Sequence, residues 1–172
     1  MFRLILIALL VCSTHSANAS AVRLESTSVE FIAPKGFTEL SLEEIQAKFP
    51  SRTGPGSAVG NERRTTTIAY GIRDVAVTDA ILEEQLKQIS TASSRAVPGF
   101  SLIEQGMRTI NDRNWAYMEF RSTAMDTDIR NILLMSAYEG RMIVINFNSA
   151  ESDFKKLEPQ LRESIASLGS PE

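Results

Sequence analysis

Alternating apolar and polar positions between residues 106 and 149 predict four consecutive strands. The first strand ends over residues 107–110, and the others cover 115–122, 129–138 and 141–148. Short segments of Asn, Asp and Gly separate these strands, and those residue types favour tight turns. Because such short turns join strands only in antiparallel order, the pattern predicts an antiparallel sheet.

The side chains of these strands divide between two faces of the sheet. On strand 115–122, Ala116, Met118 and Phe120 share one face, because side chains alternate along a strand. The opposite face carries two aromatic and two charged residues: Trp115, Tyr117, Glu119 and Arg121. Strand 129–138 is apolar on both faces, which is typical of a central strand in a sheet that is covered on both sides.

Earlier segments predict further strands and one short helix. Residues 29–33 alternate as a short strand, and a second strand covers 65–72, whereas residues 20–27 are a flexible lead-in or an edge strand. Ser41 with Glu44 forms the pattern of a capping box, which opens a short helix over 42–49.

Two longer helices complete the prediction. Thr78 and Asp79 begin one of them, and its apolar stripe contains Leu82, Leu86 and Ile89. The other begins near residue 151 and has an unbroken apolar stripe: Phe154, Leu157, Leu161, Ile165 and Leu168. Pro159 lies within this stripe, which keeps its phase, so we expect one kinked helix that ends at Gly169.

Residues 1–19 have the three parts of a secretory signal peptide. Arg3 supplies the positive charge, residues 4–11 form the apolar segment, and Ala17-Asn18-Ala19 gives the cleavage pattern before Ser20. The apolar segment is too short to span a bilayer. The sequence therefore predicts a periplasmic or secreted chain without a transmembrane segment.

The only cysteine and the only histidine, Cys12 and His15, both lie in the predicted signal peptide. A lipoprotein anchored at Cys12 is a weaker alternative, because Val11 stands where a small residue is needed. Cleavage leaves residues 20–172 as one predicted domain with no disulfide, histidine base or Cys/His zinc site. Its 17 basic and 21 acidic residues give a net charge of −4, which argues against nucleic acid or an anionic membrane as the partner.

Acidic residues are the remaining candidates for catalysis or metal binding. Asp112 and Glu119 are candidates for a general acid and base, although Glu119 also fits as a cross-strand partner of Arg121 or Arg130. The turn at 126–128 offers two carboxylates, whereas calcium takes six to eight oxygen ligands. We therefore predict no catalytic residue, no metal site and no cofactor.

Five residues are candidates for binding: Arg63, Arg64, Trp115, Tyr117 and Arg121. The two adjacent arginines end segment 51–64, which is predicted to be an irregular surface loop and lacks the Gly-Lys-Ser/Thr ending of a phosphate loop. The other three share one strand face and are of the types that anchor protein interfaces. The alternative for that face is ordinary core beneath a helix.

Three segments carry a resemblance to a known family: Phe-Ile-Ala-Pro-Lys-Gly-Phe at 31–37, Tyr-Glu-Gly-Arg at 138–141, and Ser-Ile-Ala-Ser-Leu at 164–168. With the order of elements, they make the chain similar to the PsbP-like superfamily, which includes bacterial DcrB-like envelope proteins. The resemblance implies an α+β fold, an α/β/α sandwich whose central antiparallel sheet of about five to six strands is flanked by helices. It also implies a protein that binds or assists other proteins and has no shared catalytic residues.

Together these observations predict a non-catalytic protein of the cell envelope that binds another protein, as an accessory or assembly factor. An immunity-type inhibitor of a periplasmic toxin is one alternative, because a small exported chain with few reactive side chains suits that role. A metal-binding factor or enzyme that uses acidic residues is the other alternative.

Overall fold

The computed structural model describes residues 19–51, 54–124 and 127–169, so residues 1–18 of the predicted signal peptide lie outside the described part. The described residues form three helices: α1 Leu42–Lys48, α2 Asp79–Ala96 and α3 Glu151–Ala166. They also form nine strands: β1 Ser20–Arg23, β2 Glu30–Ala33, β3 Thr38–Glu39, β4 Ser57–Gly60, β5 Thr66–Arg73, β6 Ser101–Ile110, β7 Arg113–Ala124, β8 Thr127–Tyr138 and β9 Arg141–Ala150. No helix in these ranges is long and apolar enough to cross a membrane.

Seven of the strands form one antiparallel sheet in the order β3-β4-β5-β9-β8-β7-β6. The predicted α+β class with a large antiparallel sheet and flanking helices is confirmed. The four strands predicted from the alternating pattern are β6 to β9, and β8 lies between two neighbours as expected. The sheet exceeds the expected five to six strands because β3 and β4 extend it beyond β5.

The prediction of an irregular loop over residues 51–64 was wrong in part, because β4 occupies Ser57–Gly60. These four residues pair with Thr67–Tyr70 of β5. Val59 favours a strand, but Ser57, Ala58 and Gly60 do not, so four residues with one strand former gave too weak a local pattern.

Strands β1 and β2 form a separate two-stranded sheet, so residues 20–27 include the edge strand that was one of the two expectations. The end of the chain holds this small sheet in place. The N–H of Glu30 donates to the carbonyl of Gly169 at 2.8 Å, and the N–H of Gly169 returns a bond to Glu30 at 3.0 Å. Helix α3 ends at Ala166, so Gly169, which was predicted to end it, lies beyond the helix and pairs with the small sheet.

The two faces of the large sheet carry separate apolar clusters. On one face, Trp115, Tyr117 and Ile145 pack with Phe154 and Leu161 of α3, together with the small sheet. On the other face, Ala116, Met118 and Phe120 pack with Leu82 and Leu86 of α2, and α1 lies over β4 on that same face. The predicted division of strand residues between the faces is confirmed, and so is a sheet covered on both sides.

Local sequence signals are visible at the start of α1 and in the tight turns, whereas Thr78 stands at the N-cap of α2 without a side-chain hydrogen bond to the helix. The capping box is present, since the Ser41 N–H donates to Glu44 at 2.7 Å and the Glu44 N–H donates to the Ser41 hydroxyl at 3.2 Å. Helix α3 runs through Pro159 as one helix. Asn111 and Asp112 both have positive φ, as the two-residue turn between β6 and β7 requires.

Candidate functional site

The side chains of Trp115 and Tyr117 are completely buried in the cluster beneath α3. A partly exposed aromatic binding patch on this strand face is therefore not what the structure shows, and the core interpretation is confirmed. The two rings are buried because α3 and the small sheet cover the face toward which both residues point. Period-two alternation showed that they share a face, but it did not show which element covers that face.

Glu119, only 2% exposed, is the centre of a charged network between the sheet and α3. Arg130 donates to one carboxylate oxygen at 2.7 Å, and Arg162 of α3 donates to the other at 2.9 Å. The Tyr117 hydroxyl donates to that second oxygen at 2.5 Å and accepts a bond from Arg162 at 2.6 Å. Every oxygen of this carboxylate is engaged, so the network joins α3 to β7 and β8.

The pKa values of Glu119 and Tyr117 are shifted in opposite directions, both away from neutral pH. Burial raises the pKa of Glu119, but hydrogen bonds from Tyr117, Arg162 and Arg130 outweigh that effect and hold the pKa below its usual value. Burial and the hydrogen bond to Glu119 raise the pKa of Tyr117 to about 12. At neutral pH, Glu119 is therefore an anion and Tyr117 is a neutral phenol.

The possible acid and base pair of Asp112 and Glu119 is not brought together. Asp112 is exposed in the turn between β6 and β7, whereas Glu119 lies seven residues further along β7. At about 3.3 Å per strand residue, that separation exceeds 20 Å. The interpretation of Glu119 as a cross-strand partner is confirmed instead, with Arg130 as the partner.

Each of the three candidate arginines, Arg63, Arg64 and Arg121, forms an ion pair with a carboxylate. Arg63 binds both oxygens of Asp153 at 2.9 Å, and Arg121 lies 3.7 Å from Glu151, so both contact the first turn of α3. Arg64 instead binds Glu44 of α1 at 2.9 Å. The structure therefore brings Arg63 and Arg121 to one helix end and places Arg64 elsewhere, and the adjacent arginines do not form a common cradle for a phosphate.

The turn considered as a metal site is only partly described. Asp126 lies outside the described residues, and Asp128 accepts a hydrogen bond from Thr123 at 3.4 Å. Within residues 19–51, 54–124 and 127–169, no group of three or more His, Cys, Asp or Glu side chains could hold a metal ion.

Strand β6 is a long edge strand of the large sheet. It pairs with β7 on one side, and no described residue pairs with its other side. Its ten residues include three large apolar side chains that are 40–42% exposed: Leu102, Ile103 and Met107. We call Ser101–Ile110, with its unpaired outer side, the β6 edge. Natural proteins usually shorten, cover or interrupt such strands, because free backbone groups recruit other strands.

The β6 edge also carries charge and one irregularity. Glu104 and Arg108 form an exposed pair at 2.6 Å, and the Arg108 guanidinium lies 3.3 Å from the centre of the Tyr117 ring. Gly106 pairs with Tyr117 on the adjacent strand. A register shift between Leu102 and Glu104 marks a bulge. Sequence reasoning missed this surface, because Glu104-Gln105-Gly106 interrupts the apolar alternation and strand order is not visible in a local pattern.

No protein-family model and no curated protein matches the sequence. Solved structures do match it. The structure of cyanobacterial PsbP from Synechocystis sp. PCC 6803 is 14% identical with a TM-score of 0.64, over 92% of this chain and 96% of that chain. This chain has a PsbP-like fold.

Two further structures share the PsbP-like fold. LpqN, involved in cell envelope biogenesis of Mycobacterium tuberculosis, is 11% identical with a TM-score of 0.54, over 91% of this chain and 88% of that chain. The Ran-binding protein Mog1p of Saccharomyces cerevisiae is 10% identical with a TM-score of 0.52, over 90% of this chain and 96% of that chain. The expected resemblance to the PsbP-like superfamily is thus confirmed for the fold, while the narrower DcrB-like relationship stays a prediction.

Proposed function

We propose that this chain is a non-catalytic accessory protein of the cell envelope, and that it binds an extended segment of another protein along the β6 edge. The observation that carries the proposal is the ten-residue edge strand with three exposed apolar side chains. A partner segment that adds as a further strand gains backbone hydrogen bonds, and the alternating side chains of the edge provide specificity.

Four further observations support this proposal. The predicted signal peptide favours a location outside the cytoplasm, and LpqN, which has the same fold, is involved in cell envelope biogenesis. Mog1p, which also has the fold, is a Ran-binding protein, so this architecture serves protein binding in at least one relative by structure. The most deeply buried charged network is fully hydrogen-bonded around Glu119, which favours a structural rather than a catalytic role for it.

Site-specific photocrosslinking in living cells tests this function. A photoreactive amino acid replaces Met107 in the full-length chain, and the matched control carries it at Ile32, an equally exposed apolar residue on the small sheet. From position 107 we expect an adduct with a different protein, distinguished by its mass from any adduct between two copies of this chain, and we expect none with a different protein from position 32. Identical adducts from both positions, or none from position 107, would overturn the proposal. The identity of the adduct separates an assembly factor from an inhibitor of a toxin.

A further inference from the structure

The sequence of the β6 edge is complementary to itself in antiparallel orientation. When two copies are aligned so that Gly106 faces Gly106, Glu104 of each copy stands opposite Arg108 of the other. If the two copies are instead centred on Gln105 or on Met107, Gly106 faces one of the two charged residues, and an uncharged residue faces the other. Among these three registers, only the one centred on Gly106 therefore places both acids opposite bases.

The backbone of β6 is suited to this same register. The two-residue turn at Asn111 and Asp112 connects Ile110 to Arg113. The backbone N–H and C=O groups of Ile110 and Arg113 bond each other. Because bonded and non-bonded pairs alternate along an antiparallel ladder, Gln105 and Met107 direct their N–H and C=O groups away from β7. In the register centred on Gly106, Gln105 of each copy faces Met107 of the other, so these outward groups meet their partners.

Side chains near the centre leave room for a second strand. Gly106 has no side chain, and a Cβ placed on it would meet no atom within 4 Å, so no side chain of the same copy crowds the sheet face at the centre of the proposed pair. Facing residues of a non-bonded antiparallel pair have Cα atoms about 4.5 Å apart. Met107 is 40% exposed, and it would lie diagonally across from Met107 of the second copy, within reach of a long apolar side chain.

We propose that the β6 edge pairs with the β6 edge of a second copy of this chain, about a two-fold axis at Gly106. The two large sheets become one continuous sheet, with both α3 helices on the same side. Because this pairing covers the edge to which the partner protein is proposed to bind, self-association and partner binding exclude each other. That last step rests on the proposed function, whereas the pairing itself does not.

Charge reversal with rescue tests the pairing by sedimentation of protein purified after expression of the full-length chain. We expect a wild-type dimer, and a dimer dissociation constant at least about tenfold higher in Glu104→Arg and in Arg108→Glu, because like charges then face each other. The double variant Glu104→Arg/Arg108→Glu restores opposite charges and is expected to restore the dimer. Glu83→Arg, on the exposed surface of α2, is the control and is expected to leave the dimer unchanged.

A cysteine at Gly106 tests the register directly. The non-bonded pair brings the two Cα atoms within the span of a disulfide, so Gly106→Cys is expected to oxidise to a covalent dimer. Gln105→Cys, whose counterpart lies diagonally away, is the control and is expected to stay largely unlinked. The native Cys12 lies in the predicted signal peptide and is replaced by serine in both variants.

The outcomes separate the pairing from the proposed function. A monomeric wild type over the whole soluble concentration range, or a double variant no better than the singles, would overturn the pairing. A monomer that still crosslinks a different protein from position 107 would leave the proposed function standing. A dimer linked at position 106 would uphold the pairing. Absence of any adduct with a different protein from position 107 in the Arg108→Glu variant, in which the edge is expected to be uncovered, would overturn the proposed function.

Discussion

Arg162 of α3 donates to Glu119 of β7 at 2.9 Å, across the boundary between the helix and the sheet. The side chain of Glu119 is nearly inaccessible to solvent, and Arg130 and Tyr117 also donate to its carboxylate. This contact ties the C-terminal half of α3 to a strand 43 residues earlier in the chain. The closure of α3 over Trp115 and Tyr117 therefore depends on charge as well as on apolar packing.

Replacing Glu119 with alanine is expected to lower the free energy of unfolding by about 3–5 kcal/mol, because two arginines lose the anion that compensates them. Urea denaturation monitored by circular dichroism measures the change. Glu83→Ala is the control: Glu83 pairs with Lys87 on the exposed surface of α2, and its loss is expected to cost less than about 1 kcal/mol. Equal losses in the two variants would contradict a structural role for the network.

Acid is expected to destabilise the wild type more than Glu119→Gln. The pKa of Glu119 is lowered in the folded chain, so its contribution is complete above the ordinary value of 4.5 and is lost as pH falls below it. Free energies of unfolding from urea titrations between about pH 7 and pH 3 should therefore fall more steeply in the wild type. Glu151 and Asp153 also have lowered pKa values and keep some slope in the variant. Identical slopes would contradict the assignment.

Local patterns predicted most of the sheet and all three helices. Alternation identified the faces of β7 and β8, and residue type identified the tight turn at Glu139-Gly140, where both residues have positive φ. These signals depend on neighbours a few residues apart, so they are visible in one sequence. Strand β4 was missed because its four residues are too few to show a local pattern and pair with β3 and β5, which lie elsewhere in the sequence.

The candidate site depended on information that local patterns lack. Whether Trp115 lies in the core or at the surface depends on which element covers its face. That element is α3, which lies more than 30 residues later in the chain. That β6 is the free edge follows from strand order, with α2 crossing a face of the sheet between β5 and β6. Arg63 and Arg121 are likewise brought together only because both reach the first turn of α3.

Trp115→Ala is expected to lower the free energy of unfolding by about 3–5 kcal/mol, because it leaves a cavity in a fully buried cluster. Val75→Ala, at an exposed position, is the control and is expected to change it by less than about 0.5 kcal/mol. Denaturant titrations measure both, and the emission of Trp115 in the wild type should shift to longer wavelength on unfolding. A stable Trp115→Ala variant that had lost only partner binding would contradict the core assignment.

Arg64→Ala is expected to destabilise the chain by about 1–3 kcal/mol, and more than Arg63→Ala does. Arg64 is only 26% exposed and binds Glu44, the Thr38 hydroxyl and the Gly60 carbonyl, so it joins α1 to β3 and β4. Arg63 is 70% exposed and its pair with Asp153 is more accessible to solvent, which weakens it. Thermal denaturation of the two variants under identical conditions provides the comparison. The reverse order would contradict this assignment of roles.

Pro159→Ala is expected to raise the free energy of unfolding by about 1–3 kcal/mol. Proline inside a helix lacks the N–H that would bond the carbonyl four residues earlier, here that of Lys155, and its ring crowds that carbonyl. Part of the gain is offset because alanine makes the unfolded chain more flexible. Lys156→Ala, an exposed change one turn earlier, is the control for helix propensity and is expected to shift the value by less than about 0.5 kcal/mol.

Urea denaturation of both α3 variants measures this difference. A loss of stability in Pro159→Ala would contradict the expectation and would mean that the backbone geometry imposed by proline is needed to place Phe154 and Leu161 in the same cluster. The network offers an internal check, because Arg162 lies just beyond the proline and binds Glu119. If removing the proline displaced Arg162, Glu119→Ala would cost less in the Pro159→Ala background than in the wild type.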